Sequence, residues 1–512
     1  MHSCRNITAG SMRSAWTASI FAAALLSALS CFVPSVCGAE VRLPALWSNH
    51  MILQRNMPIH CWGMAAPGER VRVQIQTSSA ESVADDLGRW SLYLPAMDAG
   101  GPFEVVVHGQ NEIKIEDVMV GDVWIASGQS NMEFTMMNVA NADAEIAKTD
   151  QYDIRILKVG HAYSEFPLGD LKSPAQWHRA DSKNVTYFSA VGCLFARAIQ
   201  EHEHIPVGVI ETSWGGTLAE AWTSMDALTD SQDLLPVFKA WSQMLDQRQA
   251  LELRIAQEKQ KYDASIAAGQ KPEPLPGHPD INASHPSSLY NAMVAPLTSY
   301  PIKGVIWYQG EANTAEMNAS YYARLFQAMI QDWRAQWKEG DFPFLFVQLA
   351  NVKASPANKW AEIREAQQEA LALRRTGMAV TADIGEANNV HYKNKQDVAY
   401  RLSLQARKIA YGENIEASGP VYEHSIIVDH QIKIWFEHSN GLLLHGGGAT
   451  VFEVAGVDGV FHPAVARVED GALVVWSDKV SHPVRARYAW ADNPQCTLYN
   501  QEGLPASPFL TR

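Results

Sequence analysis

Four short segments carry the residue types that acyl transfer requires. Ser127-Gly128-Gln129-Ser130-Asn131-Met132 offers a hydroxyl nucleophile, Ser213-Trp214-Gly215-Gly216-Thr217 a glycine turn, Gln309-Gly310-Glu311-Ala312-Asn313 a side-chain amide, and Asp383-Ile384-Gly385-Glu386 runs on to His391. Acyl transfer needs an activated hydroxyl, an imidazole to take its proton, and N–H donors around the oxyanion of the tetrahedral intermediate. Ser130, His391, the Gly215-Gly216 backbone and Asn313 supply one of each kind. Taken singly, Ser130, Asn313 and the glycines read equally well as helix caps and tight turns. His391 is one of 17 histidines. The chemical reading rests on all four segments meeting in space.

That meeting requires a scaffold, and each segment follows a short apolar run: Val123–Ala126, Val207–Ile210, Val305–Tyr308 and Met378–Thr381, with Phe344–Val347 as a fifth. Such runs, alternating with longer helical stretches, predict buried parallel strands of an α/β domain over 120–412. In open parallel sheets reactive groups gather at the carboxyl ends of the strands. Residues 40–119 read as a small β-sandwich, with turns at Pro67-Gly68, Leu87-Gly88 and Gly100-Gly101-Pro102, and residues 413–512 as a second β-rich region. A charged helical stretch and a Pro-rich segment at about 226–290 read as an insertion in the α/β domain.

Composition narrows the function. A net charge of −14 without a basic cluster argues against nucleic acid as a partner. Arg5 and Arg13, an apolar stretch over Ala15–Val33 and the small-residue pattern Cys37-Gly38-Ala39 predict an export leader over 1–39, and hence a secreted or periplasmic protein without stable membrane insertion. Lipid attachment at Cys31 is an open alternative. Cys61, Cys193 and Cys496 lie too far apart for a zinc site and give no disulfide framework. His202-Glu203-His204 lacks the i, i+4 spacing of a zinc protease and reads as a solvated helix end. His445-Gly446-Gly447-Gly448 comes too late in the chain to be a lipase oxyanion loop.

The motifs resemble the SGNH (GDSL-type) hydrolases, and within them the sialate O-acetylesterase group. The resemblance rests on Gly121-Asp122-Val123-Trp124 leading into Ser127–Glu133, on Ser213–Thr217, and on Trp307-Tyr308-Gln309-Gly310-Glu311-Ala312-Asn313. It extends to Met51-Ile52-Leu53-Gln54-Arg55 and Ala99-Gly100-Gly101-Pro102 near the start, and to Arg487–Trp490 and Glu502–Pro505 near the end. It implies a three-layer SGNH-type fold and a serine esterase that removes acetyl groups from O-acetylated sialic acid, with an O-acetylated sugar or glycan as substrate and no metal or cofactor needed. Ser130 is implied as nucleophile, His391 as general base, and the N–H groups of Ser130, Gly215 and Gly216 with Asn313 as oxyanion hole. Gln129, Gln309, Glu311 and Asn388 are expected to support them. Acetylated plant polysaccharide such as xylan is an alternative substrate, and a glycan-binding protein without catalysis an alternative function.

One part of the pattern is broken. SGNH enzymes usually place Asp three residues before the catalytic His, and relatives in this group often place one two before it and Pro after it; here stand Asn388, Asn389 and Tyr392. In serine proteases the exchange of such an Asp for Asn costs about four orders of magnitude. Three explanations stand open: a dyad held by backbone, a carboxylate from Asp383, Glu386 or Glu311, or a weakened enzyme. We favour a Ser-His dyad with outside help.

Overall fold

A computed structural model of the chain describes residues 40–270, 272, 281–446 and 451–511. The expected export leader, most of the Pro-rich segment and Gly447-Gly448 lie outside them. The core is an eleven-stranded sheet whose central path runs Thr376–Ala379, Phe344–Val347, Gly304–Tyr308, Glu112–Gly128, Val207–Ser213, Ile154–Lys158, Trp177–Arg179. All neighbours on this path pair in parallel except the last, which is antiparallel. All five expected strands are in it.

Side-chain alternation places helices on both faces. Register sets Gly304 opposite Trp124 and Trp307 opposite Ser127, so Trp124 and Trp307 point to opposite sides of the sheet. Trp124 meets Phe195 of the helix Ala190–Glu203, with ring centroids 5.0 Å apart. Trp307 packs against Phe326 and Trp333 of the helix Glu316–Trp337. All of these rings are buried. The three layers of an SGNH-type fold follow from that alternation.

One expected boundary needs correction, and one strand of the sheet was not among those expected. The division between residues 119 and 120 falls inside one strand of 17 residues, Glu112–Gly128, which pairs with Ile52–Gln54 and Gly100–His108 at its start and with the catalytic sheet at its end. The leading β-region is therefore continuous with the central sheet. Secondly, Ile154–Lys158 belongs to the sheet although it did not read as a buried strand. Arg155 interrupts its apolar run, and that buried guanidinium is matched by Asp117 at 3.3 Å.

Within 226–290, the helix Leu235–Ala267 spans 33 residues and buries only Val237. Its i, i+4 pairs, Arg248–Glu252, Arg254–Glu258 and Lys259–Asp263, each add only about 0.3 kcal/mol. It is an appendage, not a part of the core. The tail forms two four-stranded antiparallel sheets around a separate core that includes Ile434, Phe452, Tyr488 and Phe509. His202-Glu203-His204 closes the helix Ala190–Glu203, with His204 in the left-handed conformation as its cap.

A buried ion pair fastens the leading region to the nucleophile strand. Asp122 is fully buried and receives Arg55 Nε and Nη2 at 2.9 and 3.0 Å and Gln54 Nε2 at 2.9 Å, while Gln54 Oε1 accepts from Val123 N–H at 2.8 Å. Removing one partner of such a pair strands a buried charge. Arg55→Met is expected to destabilise the protein by about 3–5 kcal/mol, read as a lowered urea midpoint, and Asp122→Asn on top of it should recover part of the loss. An unchanged midpoint in Arg55→Met would disprove the anchoring role.

Candidate active site

Glycine makes the nucleophile turn possible. Gly128 ends its strand at φ +137°, and a Cβ there would lie 2.1 Å from the Tyr308 carbonyl oxygen, so only glycine lets the two strand ends approach. Gln129 N–H then donates to Tyr308 O at 2.9 Å. The Gln129 side chain accepts from Gly310 N–H at 3.4 Å and Ala312 N–H at 3.1 Å, joining the nucleophile turn to the Asn313 loop. Ser130 opens the short helix Ser130–Glu133, and its Oγ lies 2.8 Å from His391 Nε2. For Nε2 to accept the serine proton, the ring proton must sit on Nδ1. Ser130 is half-buried and His391 exposed, so the pair opens to solvent.

Among the described residues no carboxylate hydrogen-bonds to the imidazole of His391. Asp383 is held by Arg401 in a two-pronged pair at 2.6 and 2.8 Å. Glu311 accepts from Asn131 Nδ2 at 2.6 Å, and Glu386 accepts from Asn389 Nδ2 at 3.1 Å. Asn388, expected as a support, makes no hydrogen bond to His391. Its neighbour does: Asn389 Oδ1 accepts from the His391 backbone N–H at 3.0 Å, a local side-chain-to-backbone closure typical of Asn in turns. Asn131 Nδ2 also donates to Val390 O at 3.1 Å, tying the residue before the base to the residue after the nucleophile. Partial burial, then the nearby charge of Lys395, lower the His391 pKa below the ordinary histidine value.

The oxyanion donors are rearranged relative to expectation. Gly215 N–H donates to Glu133 Oε2 at 2.8 Å and is thereby withdrawn from the hole. Gly216 and Ser130 N–H have no hydrogen-bond acceptor among the described residues. Gly215 still lies against the nucleophile, since a Cβ on it would meet Ser130 Cβ at 3.2 Å. Asn313 is fully buried. Its Oδ1 accepts from Gln309 Nε2 at 2.7 Å and Ala219 N–H at 3.0 Å, and one proton of its amide goes to Glu220 Oε2 at 2.9 Å, leaving the second free. Gln309 is itself oriented by Tyr322 OH at 3.0 Å.

Two carboxylates escaped the sequence reading. Glu220 is buried, takes hydrogen bonds from Asn313 and Tyr321, and has its pKa raised by that burial. Glu133 pairs with His161 at 2.8 Å, and His161 stacks on Trp214 at 4.3 Å between ring centroids. Burial pushes the Glu133 pKa up, but His161 and Gly215 N–H outweigh it and hold the carboxyl below its usual range. Nothing in a single sequence marks either residue, because both act across loops distant in the chain. The three cysteines Cys61, Cys193 and Cys496 are unpaired. No helix among the described residues is long and apolar enough to cross a membrane.

A parallel sheet between helix layers, with Ser130 and His391 joined at its carboxyl edge, defines the class: a carboxylic ester hydrolase on an SGNH-type scaffold. The chain belongs to the carbohydrate esterase, sialic acid-specific acetylesterase family, whose model matches residues 120–252 and 278–406. It is 31% identical over 522 residues to the sialate O-acetylesterases of Homo sapiens and Pongo abelii, covering 92% of this chain and 93% of each of those. Its structure resembles that of a carbohydrate acetylesterase from Xanthomonas citri, with a TM-score of 0.80 and 35% identity over 92% of this chain and 99% of that one.

The two asparagines are separable by mutation. Asn389→Ala, which frees the His391 backbone, is expected to lower kcat/KM about 10- to 100-fold, whereas Asn388→Ala should stay within about twofold. Equal losses in both, measured on a chromogenic acetyl ester, would make Asn388 the orienting residue instead.

Proposed function

We propose that this chain removes O-acetyl groups from sialic acids through a Ser130 acyl-enzyme, after export from the cytoplasm. The observation that carries the mechanism is the 2.8 Å approach of Ser130 Oγ to His391 Nε2 at the mouth of the strand-end loops. Ser130 Oγ attacks the acetyl carbonyl carbon while its proton passes to His391 Nε2. The tetrahedral oxyanion then receives the N–H groups of Ser130 and Gly216 and the unengaged amide proton of Asn313. As the intermediate collapses, the sugar oxygen leaves with the proton from His391. Water next enters, gives a proton to the same nitrogen and releases acetate, restoring the serine.

Sialic acid as the sugar is supported by the family to which the chain belongs and by the names of its mammalian relatives. Export is supported by the leader pattern over 1–39. The missing carboxylate does not forbid the chemistry, because cleaving an acetyl ester asks less of the base than cleaving an amide.

Ser130→Ala and His391→Ala are each expected to reduce hydrolysis of p-nitrophenyl acetate by at least about 10³-fold. With wild-type enzyme, acetate release from 9-O-acetyl sialic acid should exceed release from acetylated xylan in kcat/KM. The reverse order would reassign the substrate to plant polysaccharide. Activity retained in Ser130→Ala would overturn the mechanism itself.

A further inference from the structure

Lys395 is fully buried, which is costly for a lysine and calls for specific partners. Its Nζ donates to Asn131 Oδ1 at 2.7 Å. It also lies over three aromatic rings, with centroids at 3.7 Å for Tyr392, 4.9 Å for Phe134 and 5.6 Å for Tyr308. One carbonyl oxygen and three π faces form a cage suited to a cation. Asn131 passes the contact on, to Glu311 Oε1 at 2.6 Å and to Val390 O at 3.1 Å. The other Glu311 oxygen is buried with no hydrogen-bond partner. Tyr308 OH and Tyr392 OH share a hydrogen bond at 2.9 Å.

This ammonium is close enough to His391 for its charge to act on the imidazole. We infer that Lys395 is a positioning residue: through Asn131 its buried ammonium locks the His391 loop to the nucleophile helix. The inference rests on the Ser130–His391 reading above. It solves the problem of the missing carboxylate by a different route. An Asp would raise the imidazole pKa and stabilise the imidazolium; a buried cation gives up that stabilisation and in return holds the base in its competent, neutral form.

The carboxylates facing this cluster favour the charged form of Lys395. Around Lys395 stand Glu311 from the Gly304–Tyr308 strand end, Glu386 and Tyr392 from the His391 loop, and Tyr308. Burial lowers the Lys395 pKa to about 7, with Glu311 and then Glu386 drawing it back up. Lys395 is thus protonated in the more acidic range where His391, lowered by burial and by Lys395, takes up its proton. Activity that needs neutral imidazole is lost as pH falls through the His391 pKa, so a lowered value moves the acid limb downward and removal of the cation moves it upward.

The test is the pH profile of kcat/KM on p-nitrophenyl acetate for the full chain and two variants. Wild-type enzyme should show an acid limb below the ordinary histidine value of about 6.5. Lys395→Met, which fills the aromatic cage without charge or donor, should shift the limb upward by half a pH unit or more and lower the plateau about tenfold. Lys395→Gln, which keeps a donor for Asn131, should show the same shift with a smaller plateau loss. A wild-type limb at or above 6.5 overturns the inference without need of any variant, as does an unmoved limb in folded variants. Lost activity in Ser130→Ala and His391→Ala alongside unmoved Lys395 limbs sinks this inference alone. Retained activity in Ser130→Ala sinks the mechanism with it.

Discussion

The proposed catalysis hangs on one hydrogen bond of 2.8 Å between residues 261 positions apart. Neither partner is held by its immediate neighbours alone. Ser130 is presented by a strand end that must pass within contact of the Tyr308 carbonyl, which is why Gly128 stands there. His391 sits on an irregular loop, and loops hold a side chain to a few tenths of an ångström only when their backbone groups are tied down. Asn389 and Asn131 do this from two sides, through the His391 N–H and the Val390 carbonyl.

The ties converge on polar groups that the fold buries at a cost. Asn131, Glu220, Gln309, Asn313 and Lys395 are all nearly or fully inaccessible. A buried polar network stabilises a unique arrangement only when its members are satisfied, because a stranded partner costs about 1–3 kcal/mol. Several of these hydrogen bonds cross between different strand-end loops, so the network resists any relative shift of those loops. Among the described residues Glu311 Oε2 is buried without a hydrogen-bond partner, and the charge of Lys395 acts on that carboxyl. The chemistry at Ser130 needs fixed dipoles, and fixed dipoles need this backing.

The strands and the reactive segments were legible in the sequence because buried parallel strands are short apolar runs and because chemistry collects at their carboxyl ends. Ile154–Lys158 was not, since a buried Arg155 is intelligible only with Asp117 beside it. Of the oxyanion set, a glycine turn could be located, but which N–H stays free depends on Glu133, 82 residues away from Gly215. The same holds for Lys395 and Asn131, separated by 264 positions. Such residues look like ordinary polar positions until the fold brings them together. Asn388 and Asn389 are indistinguishable by type, and only the turn geometry decides which one closes on His391.

The two outer β-regions belong to the same mechanical system. The leading one delivers the nucleophile directly, because the strand that begins in it at Glu112 ends at Gly128, two residues before Ser130. The tail reaches the base through a chain of contacts. Arg364, fully buried, donates to the carbonyls of Leu349 and Ala350 on one side and of Ala491 and Asp492 on the other. Val352 N–H donates to Asp492 O at 3.1 Å, and Asn351 Nδ2 to Asn493 Oδ1 at 2.9 Å. The loop so braced grips the base-carrying segment: Gly385 N–H donates to Asn351 Oδ1 at 2.7 Å, and Lys353 N–H to Ala387 O at 2.8 Å. A dyad lacking a carboxylate orienter depends on its backbone being immobile, and in this chain the immobility is assembled from both ends of the fold.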